Sequence, residues 1–288
     1  MSMKKKNVRK SDFATSDLPK TRMSQWKDLM KGRFFTLLLL GVLLFLFFLP
    51  YLASLLFRDV LLYNLSSSGL SKEEIASGTN GVILIFSAIR IPCFMVLSIG
   101  FAGVFAIFRE LIYDEPIFMK EDFLAGIKGE WRSFLLLSVF AGVFGFLGDW
   151  LPMYMPSPYI GAIFPAFNFV LVFPILFLAL FLSSTYSNPF FTNIRFSFSL
   201  YFHYFPSVFG TFLLCFAPYF LSYIPILLLK YILLILLLVL FLPFALLLSY
   251  ENQMRIYDPL INKEQFPSYY QKGLSSYYEK GRKEKSVK

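Results

Sequence analysis

The chain has few of the side chains from which metal sites and disulfide frameworks are built. It contains a single histidine, His203, and two cysteines, Cys93 and Cys215, both of which lie inside apolar runs. A metal site needs several His, Cys or carboxylate ligands at matched spacing, and a disulfide framework needs more cysteines in exposed loops. We therefore predict no metal, no cofactor and no disulfide, and we interpret His203 as an interfacial aromatic residue.

Catalytic and nucleotide-binding motifs are also absent from the sequence. There is no Gly-rich phosphate loop ahead of a Lys and a Ser or Thr, and there is no Gly-x-Ser-x-Gly elbow. Any reaction would have to use polar groups inside apolar segments. We therefore predict that the protein is not an enzyme, and no catalytic residue is named.

Charged residues make up only 16% of the chain and crowd into a few segments. Between them run nearly uncharged apolar stretches of about eighteen residues or more, which is long enough for a helix to cross a bilayer. We predict an all-α, polytopic membrane protein built as a six-helix bundle. Its spans are expected at about 34–57, 81–108, 133–151, 159–182, 206–223 and 226–249.

The basic residues fall almost entirely on one side of this arrangement. Of the 27 Lys and Arg, 23 lie in the two tails and in the loops on the same side as the tails, and two lie on the other side. Because Lys and Arg are retained on the cytoplasmic face, we expect both termini in the cytoplasm. The net charge of +9 then reflects contact with anionic membrane lipid, and we predict no nucleic-acid partner.

This topology divides the chain into a basic cytoplasmic N-tail (1–33), a membrane domain (34–249) and a cytoplasmic C-tail (250–288). Two segments beside the spans, Asp122–Arg132 and Pro189–Tyr204, mix aromatic and polar residues. We predict that both are amphipathic helices along the inner membrane interface, because an isolated strand there would leave backbone groups unpaired.

Polar residues inside the apolar runs are the candidates for substrate binding. Arg90 and Lys230 lie within the second and sixth spans, and Asp149 lies near the end of the third. Burying such groups is costly unless they are paired or solvated, so one interpretation is a polar pocket opening to the outside. The alternative is that the two bases extend to the outer interface. We expect Arg90 to pair with an acidic group from another segment, Asp149 or Asp59.

Asn168 is a fourth candidate, because it lies mid-span between Pro165 and Pro174. Prolines release backbone carbonyls and kink or break a helix, and broken helices with a midplane amide form substrate sites in many transporters. The same features also serve ordinary helix packing, so both interpretations stay open here.

Three passages carry a family resemblance. They are Lys31-Gly32-Arg33-Phe34 before a span that ends near Leu49-Pro50, then Asp122-Phe123 with Gly126-Ile127-Lys128, and finally Asp258-Pro259-Leu260-Ile261-Asn262 with Lys272-Gly273-Leu274. In these the chain resembles the YesL-like family, small polytopic membrane proteins of Gram-positive bacteria without an assigned activity. The long basic N-tail and the loop at 58–80 depart from shorter members.

The resemblance implies a place in the bacterial plasma membrane and a partner. Members are often encoded beside carbohydrate ABC importers, so we expect other membrane protein subunits as partners, an importer permease among them. The expected function is a non-enzymatic accessory or scaffold subunit of such a complex. The alternative, which rests on Arg90, Asn168 and the two prolines, is a small-solute or lipid-binding transporter.

Overall fold

The computed structural model describes residues 18–155 and 157–278, and within them all regular structure is helical. The all-α prediction is confirmed for this part of the chain, while residues 1–17 of the predicted N-tail and 279–288 of the predicted C-tail lie outside it. The helices are α1 (Arg22–Gly32), α2 (Phe34–Ser66), α3 (Lys72–Ile112), α4 (Met119–Trp150), α5 (Pro158–Phe167), α6 (Phe173–Thr185), α7 (Phe190–His203), α8 (Phe205–Phe216), α9 (Leu227–Leu236), α10 (Leu242–Tyr257) and α11 (Lys263–Gln265).

In the described part of the chain, five helical stretches are long and apolar enough to cross a membrane, which agrees with a multi-pass membrane bundle. They overlap the first, second, third, fourth and sixth predicted spans: Phe34–Ser66, Lys72–Ile112, Met119–Tyr154, Pro158–Thr185 and Leu227–Gln265. The predicted fifth span, 206–223, falls on α8 and the 3-10 segment Ala217–Tyr223 that follows it. This stretch meets α7 at a bend of 107°, and the bent pair would count as a sixth span.

Local capping explains where α3 begins. The Ser71 hydroxyl accepts the Glu74 amide, and the Glu74 carboxylate accepts the Ser71 amide at 3.0 Å, which is a complete capping box. The helix therefore starts nine residues before the predicted span at 81. Its 41 residues correspond to about 60 Å, roughly twice the hydrocarbon thickness of a bilayer.

Both segments predicted as amphipathic helices are helical. Pro189–Tyr204 contains α7, which begins directly after Pro189. Asp122–Arg132 is not a separate element but forms the first turns of α4, which runs without interruption into the third span. No proline lies in this part of the chain to stop the helix.

The π-helical turns Asn168–Val172, Leu237–Phe241 and Asp258–Asn262 adjoin or contain prolines, whereas Pro50 and Pro92 lie within continuous α-helix. Pro174 has no N–H to donate to the carbonyl of Val170, and the Tyr201 hydroxyl of α7 donates to that carbonyl instead. Pro243 likewise leaves the carbonyl of Val239 free. That oxygen lies against Gly41 of α2, where a Cβ would overlap it. Each released carbonyl is thus covered by a neighbouring helix.

The core is aromatic at its centre. Phe105 of α3 lies 4.8 Å, between ring centroids, from Phe181 of α6 in an edge-to-face contact, and 5.7 Å from both Phe134 and Tyr250. Such pairs favour each other beyond the apolar area they bury. The four rings therefore fix α3, α4, α6 and α10 relative to one another.

Both terminal segments meet at one end of the bundle, which we call the terminal end. The Ser275 amide donates to the Pro19 carbonyl at 2.9 Å, and α1 packs against α10. The predicted boundary between membrane domain and C-tail, at 249/250, falls inside α10, which continues to Tyr257 with most of its residues buried. The turn between α2 and α3 marks the opposite, distal end.

Candidate functional site

The structure pairs Arg90 with Asp149, which confirms the pairing expected from the sequence. Nη2 of Arg90 on α3 lies 2.5 Å from Oδ2 of Asp149 at the end of α4. The Ser87 hydroxyl donates to the same carboxylate oxygen and lies 3.1 Å from the guanidinium. Gly145 leaves room for this arrangement, because a Cβ there would be 3.2 Å from Nη1 of Arg90.

Asn168 lies against the same turn of α4. Its side chain is 2% exposed, and Nδ2 donates to the carbonyl of Phe144 at 2.7 Å. A Cβ at Gly148 would be 3.1 Å from that nitrogen, so this glycine admits the amide. The helix is not broken here, because α5 and α6 continue through the π-helical turn as one stretch. Arg90, Asp149 and Asn168 therefore share one site around residues 144–149.

Lys230 belongs to a different cluster. Its Nζ lies 2.5 Å from Oδ2 of Asp59 on α2, and the Tyr231 hydroxyl donates to the same oxygen at 3.1 Å. Arg58 contacts the other oxygen of Asp59, with Nη2 at 2.9 Å. One carboxylate thus faces two bases, and the cluster carries a net charge of +1.

The four predicted substrate-binding residues are all engaged by groups of this chain. Arg90 and Lys230 are in ion pairs, and the Asn168 amide is bonded to backbone. The ion pairs satisfy charges that would otherwise be costly inside apolar segments, whereas Oδ1 of Asn168 is buried without a hydrogen-bond partner among the described residues. Substrate binding by these residues stays a prediction. In residues 18–155 and 157–278, no three His, Cys, Asp or Glu side chains come together as a possible metal site.

A polar cavity that the sequence analysis did not predict lies toward the terminal end, between α3, α4 and α6. Its volume is about 220 Å³. Arg109 of α3 lines it, with Nη1 at 3.0 Å from Oε1 of Glu130 and 2.8 Å from the carbonyl of Ser184. The second carboxylate oxygen of Glu130 is buried without a hydrogen-bond partner among the described residues. The cavity therefore offers one free acceptor beside a paired base.

The rest of the cavity wall is hydroxyl-rich. It is formed by the run Ser183–Asn188 at the end of α6, together with Ser133 of α4. The Tyr250 hydroxyl lies 3.1 Å from the Ser184 hydroxyl, and the Asn193 amide donates to the Ser183 hydroxyl at 3.0 Å. The six consecutive polar residues after the fourth span were the signal for this site in the sequence. Serine and threonine are so common in loops that the run alone does not distinguish a wall from a turn.

A second polar feature, which we call the clasp, joins the two terminal segments. Arg22 of α1 binds Asp258 with Nη2 at 2.8 Å and Nε at 3.1 Å, and both side chains are almost fully buried. Nη1 of Arg22 also donates to the carbonyl of Lys272 at 3.0 Å. The Gln25 amide donates to the carbonyl of Ile112 at 2.7 Å, which ties α1 to the end of α3.

Asn262 extends the clasp toward the bundle. Its amide donates to Oδ1 of Asp258 at 2.9 Å, and its carbonyl oxygen accepts the Tyr186 hydroxyl at 2.7 Å. Burial raises the pKa of Tyr186 far above its usual range, so the phenol stays protonated and remains a donor. Gly273 closes the clasp with φ +86°, a conformation that glycine adopts readily, and packs against the carbonyl of Ile112.

Several acidic residues of the turn between α3 and α4 and of the first turns of α4 are bound by other groups of the chain. Glu115 binds Lys272, whose ammonium also lies 5.1 Å from the ring centroid of Tyr113. Glu130 binds Arg109, and Asp122 accepts the Phe118 amide at 2.6 Å, which caps the start of α4. These carboxylates therefore stabilise the terminal end.

Comparison of the chain with protein-family models, with curated proteins and with solved structures finds no match.

Proposed function

We propose that the protein is a non-enzymatic accessory or scaffold subunit of a membrane complex in a bacterial plasma membrane, with both termini in the cytoplasm. The observation that carries this proposal is the clasp. It holds α1 and the segment after α10 in one fixed arrangement at the terminal end through the buried contact between Arg22 and Asp258. A surface held in this way is pre-organised for a partner, because little conformational entropy remains to be lost on binding.

The outer face of the clasp has the composition of a protein contact surface. It exposes bases beside apolar and aromatic side chains: Lys20, Met23, Lys27, Leu260 and Tyr269. Aromatic residues and methionine are enriched where proteins meet. By its resemblance to the YesL-like family, the partner we propose is the permease or another membrane subunit of a carbohydrate ABC importer.

Affinity purification in a mild detergent tests this proposal. The tagged full chain should retain a membrane subunit in stoichiometric amount, and Arg22→Ala should lose it because α1 is released. Lys31→Ala, at an exposed position at the other end of the same helix and outside this surface, is the matched control for removal of a base and should leave retention unchanged. Recovery of the wild-type chain alone from its native membrane would overturn the proposal.

A second candidate function, a small-solute transporter, is favoured by the polar cavity. Its buried, unpartnered Glu130 oxygen and its hydroxyl wall are the groups that would hold a polar solute. Thermal unfolding of the purified chain with a panel of monosaccharides, disaccharides and amino acids tests it. A ligand should raise the melting temperature of the wild type and of Glu121→Gln, which alters an exposed carboxylate on α4, but not of Glu130→Gln. A panel without any shift would contradict this second function.

A further inference from the structure

An apolar groove runs between α2 and α9 in the distal half of the bundle. Its walls come from one face of each helix and consist of Phe45, Leu49, Leu52, Ala53, Leu56, Leu227, Leu228, Tyr231 and Ile235. The volume is about 440 Å³. Most of these side chains are at least partly exposed, so the groove is open along its length to whatever surrounds the bundle.

The two ends of the groove on α2 differ in character. Toward the terminal end it stops where Gly41 packs against the backbone of Val239. Toward the distal end, beyond Leu56, it meets the cluster of Arg58, Asp59 and Lys230. Tyr231 belongs to both regions, since its ring lines the groove and its hydroxyl bonds Asp59.

The dimensions match one leaflet of a bilayer. The groove extends along α2 from Phe45 to Leu56, a rise of about 16 Å. One leaflet of the hydrocarbon core is about 15 Å thick, which is nearly the same length. The predicted first span, 34–57, has its midpoint near Leu46, so the groove occupies the distal half of that span. Arg58 and Asp59 then lie at the level of lipid headgroups.

The net positive charge of the cluster favours lipids with an anionic headgroup. Arg58 and Lys230 share the single carboxylate of Asp59, which leaves one positive charge uncompensated. Nε and Nη2 of Arg58 face Asp59 at 3.1 and 2.9 Å, and the Arg58 side chain is 24% exposed. A guanidinium is well suited to phosphate oxygens.

We propose that this groove binds one anionic phospholipid of the distal leaflet, with an acyl chain along the apolar walls and the phosphate at the exposed part of Arg58, beside the buried pair of Lys230 and Asp59. The site is remote from the clasp and from the polar cavity, so the proposal stands apart from both functions proposed above. The lipid closes the gap between α2 and α9 and neutralises the excess charge.

Native mass spectrometry of the delipidated full chain tests the proposal. The chain is titrated in detergent with dioleoyl phosphatidylglycerol or with dioleoyl phosphatidylcholine. We expect one bound phosphatidylglycerol per monomer and severalfold weaker retention of phosphatidylcholine. Equal retention of the two lipids would overturn the headgroup assignment. A dimer mass without lipid would mean that a second copy of the chain covers the groove, and would overturn the proposal.

Two variants, each with a matched control, test the apolar groove and the charged cluster separately. Ala53→Trp fills the groove from an exposed position and should abolish retention, whereas Leu46→Trp, exposed on the same helix outside the groove, should not. Arg58→Gln should remove the preference for phosphatidylglycerol, whereas Arg33→Gln at the other end of α2 should leave it unchanged. Unchanged retention in Ala53→Trp would refute the groove. If Ala53→Trp does not fold, an unchanged preference in Arg58→Gln still refutes the site.

Discussion

Arg22 and Asp258 are 236 positions apart in the chain and form a buried ion pair, with Nη2 2.8 Å from Oδ2. Neither residue stands out in the sequence, because each lies in a polar segment next to a span. Their contact joins α1 to the segment that follows α10 at the terminal end.

Breaking the Arg22–Asp258 pair should destabilise the protein strongly. We expect Arg22→Ala to cost about 3–5 kcal/mol, because it leaves the Asp258 carboxylate buried without its cation. Thermal unfolding in detergent measures the effect, with Lys27→Ala on the exposed face of α1 as the control. The double variant Arg22→Met, Asp258→Leu should be milder than Arg22→Ala, and a double variant that is worse would contradict the explanation.

Arg90→Ala should lower stability more than Arg58→Ala. Asp149 loses its base in the first variant, whereas Asp59 keeps Lys230 and Tyr231 in the second. The Arg90 and Asp149 side chains are 20% and 33% exposed, so the cost should be about 1–3 kcal/mol, below that of a fully buried pair. The double variant Arg90→Ala, Asp149→Ala should lose less stability than the sum of the losses in the two single variants. Additive losses in a double-mutant cycle would show that the pair does not couple.

Tyr201→Phe should destabilise the bundle by about 1–3 kcal/mol, the cost of leaving a buried acceptor unpaired. The hydroxyl removed is the donor to the Val170 carbonyl, which Pro174 leaves without a backbone N–H. Tyr159→Phe, at a side chain 85% exposed, is the matched control and should unfold like the wild type. Chemical or thermal unfolding in detergent compares the three chains, and equal stabilities would mean that Val170 is satisfied in another way.

Gly41→Ala should be harmful, whereas Gly81→Ala should not. A Cβ at Gly41 overlaps the Val239 carbonyl and lies 2.9 Å from Cγ of Pro243, so α2 must move away from the π-helical turn. We expect a loss of about 1–3 kcal/mol from this overpacking. No atom lies within 4 Å of a Cβ at Gly81. Alanine there should be neutral or slightly stabilising because it favours the helix. A neutral Gly41→Ala would show that the contact is loose.

Cysteine labelling tests the orientation. A membrane-impermeant thiol reagent added to intact cells should modify Lys72→Cys at the distal end and leave Lys128→Cys unmodified, because the bases flanking the spans predict a cytoplasmic terminal end. The wild-type chain is the background control, since Cys93 and Cys215 lie within the bundle. Labelling of Lys128→Cys in intact cells would reverse the topology, and both positions should react once the cells are permeabilised.

The features that the sequence predicts best are those in which a residue conflicts with its surroundings. Arg90 is a charge inside an apolar run and Asp149 is a carboxylate at the end of another, so their pairing follows from the cost of burial. Glu130 and Ser184 lie in polar stretches where solvent is the default partner. Nothing local to them indicates that α3, α4 and α6 enclose a cavity there.

The ends of the helices are likewise only partly predictable from the local sequence. The start of α3 at Lys72 is encoded locally by Ser71 and Glu74, whereas hydropathy places the start of the second span at Gly81. The end of α10 depends on distant contacts, since burial of Tyr257 and Asp258 requires α1 and Tyr186. Hydropathy identifies a segment that can enter a membrane, but it does not show where a helix continues beyond it.

The clasp also sets an order of events during synthesis. Arg22 leaves the ribosome long before Asp258, and at about 5–20 residues per second the wait is roughly 10–50 s. Throughout that time α1 has no carboxylate to dock against, while the spans between the two residues are made. The clasp can therefore form only on a chain translated past Gly273. Burial of Arg22 therefore marks a chain translated past Gly273, and a chain truncated before Asp258 would keep this basic helix exposed to proteases.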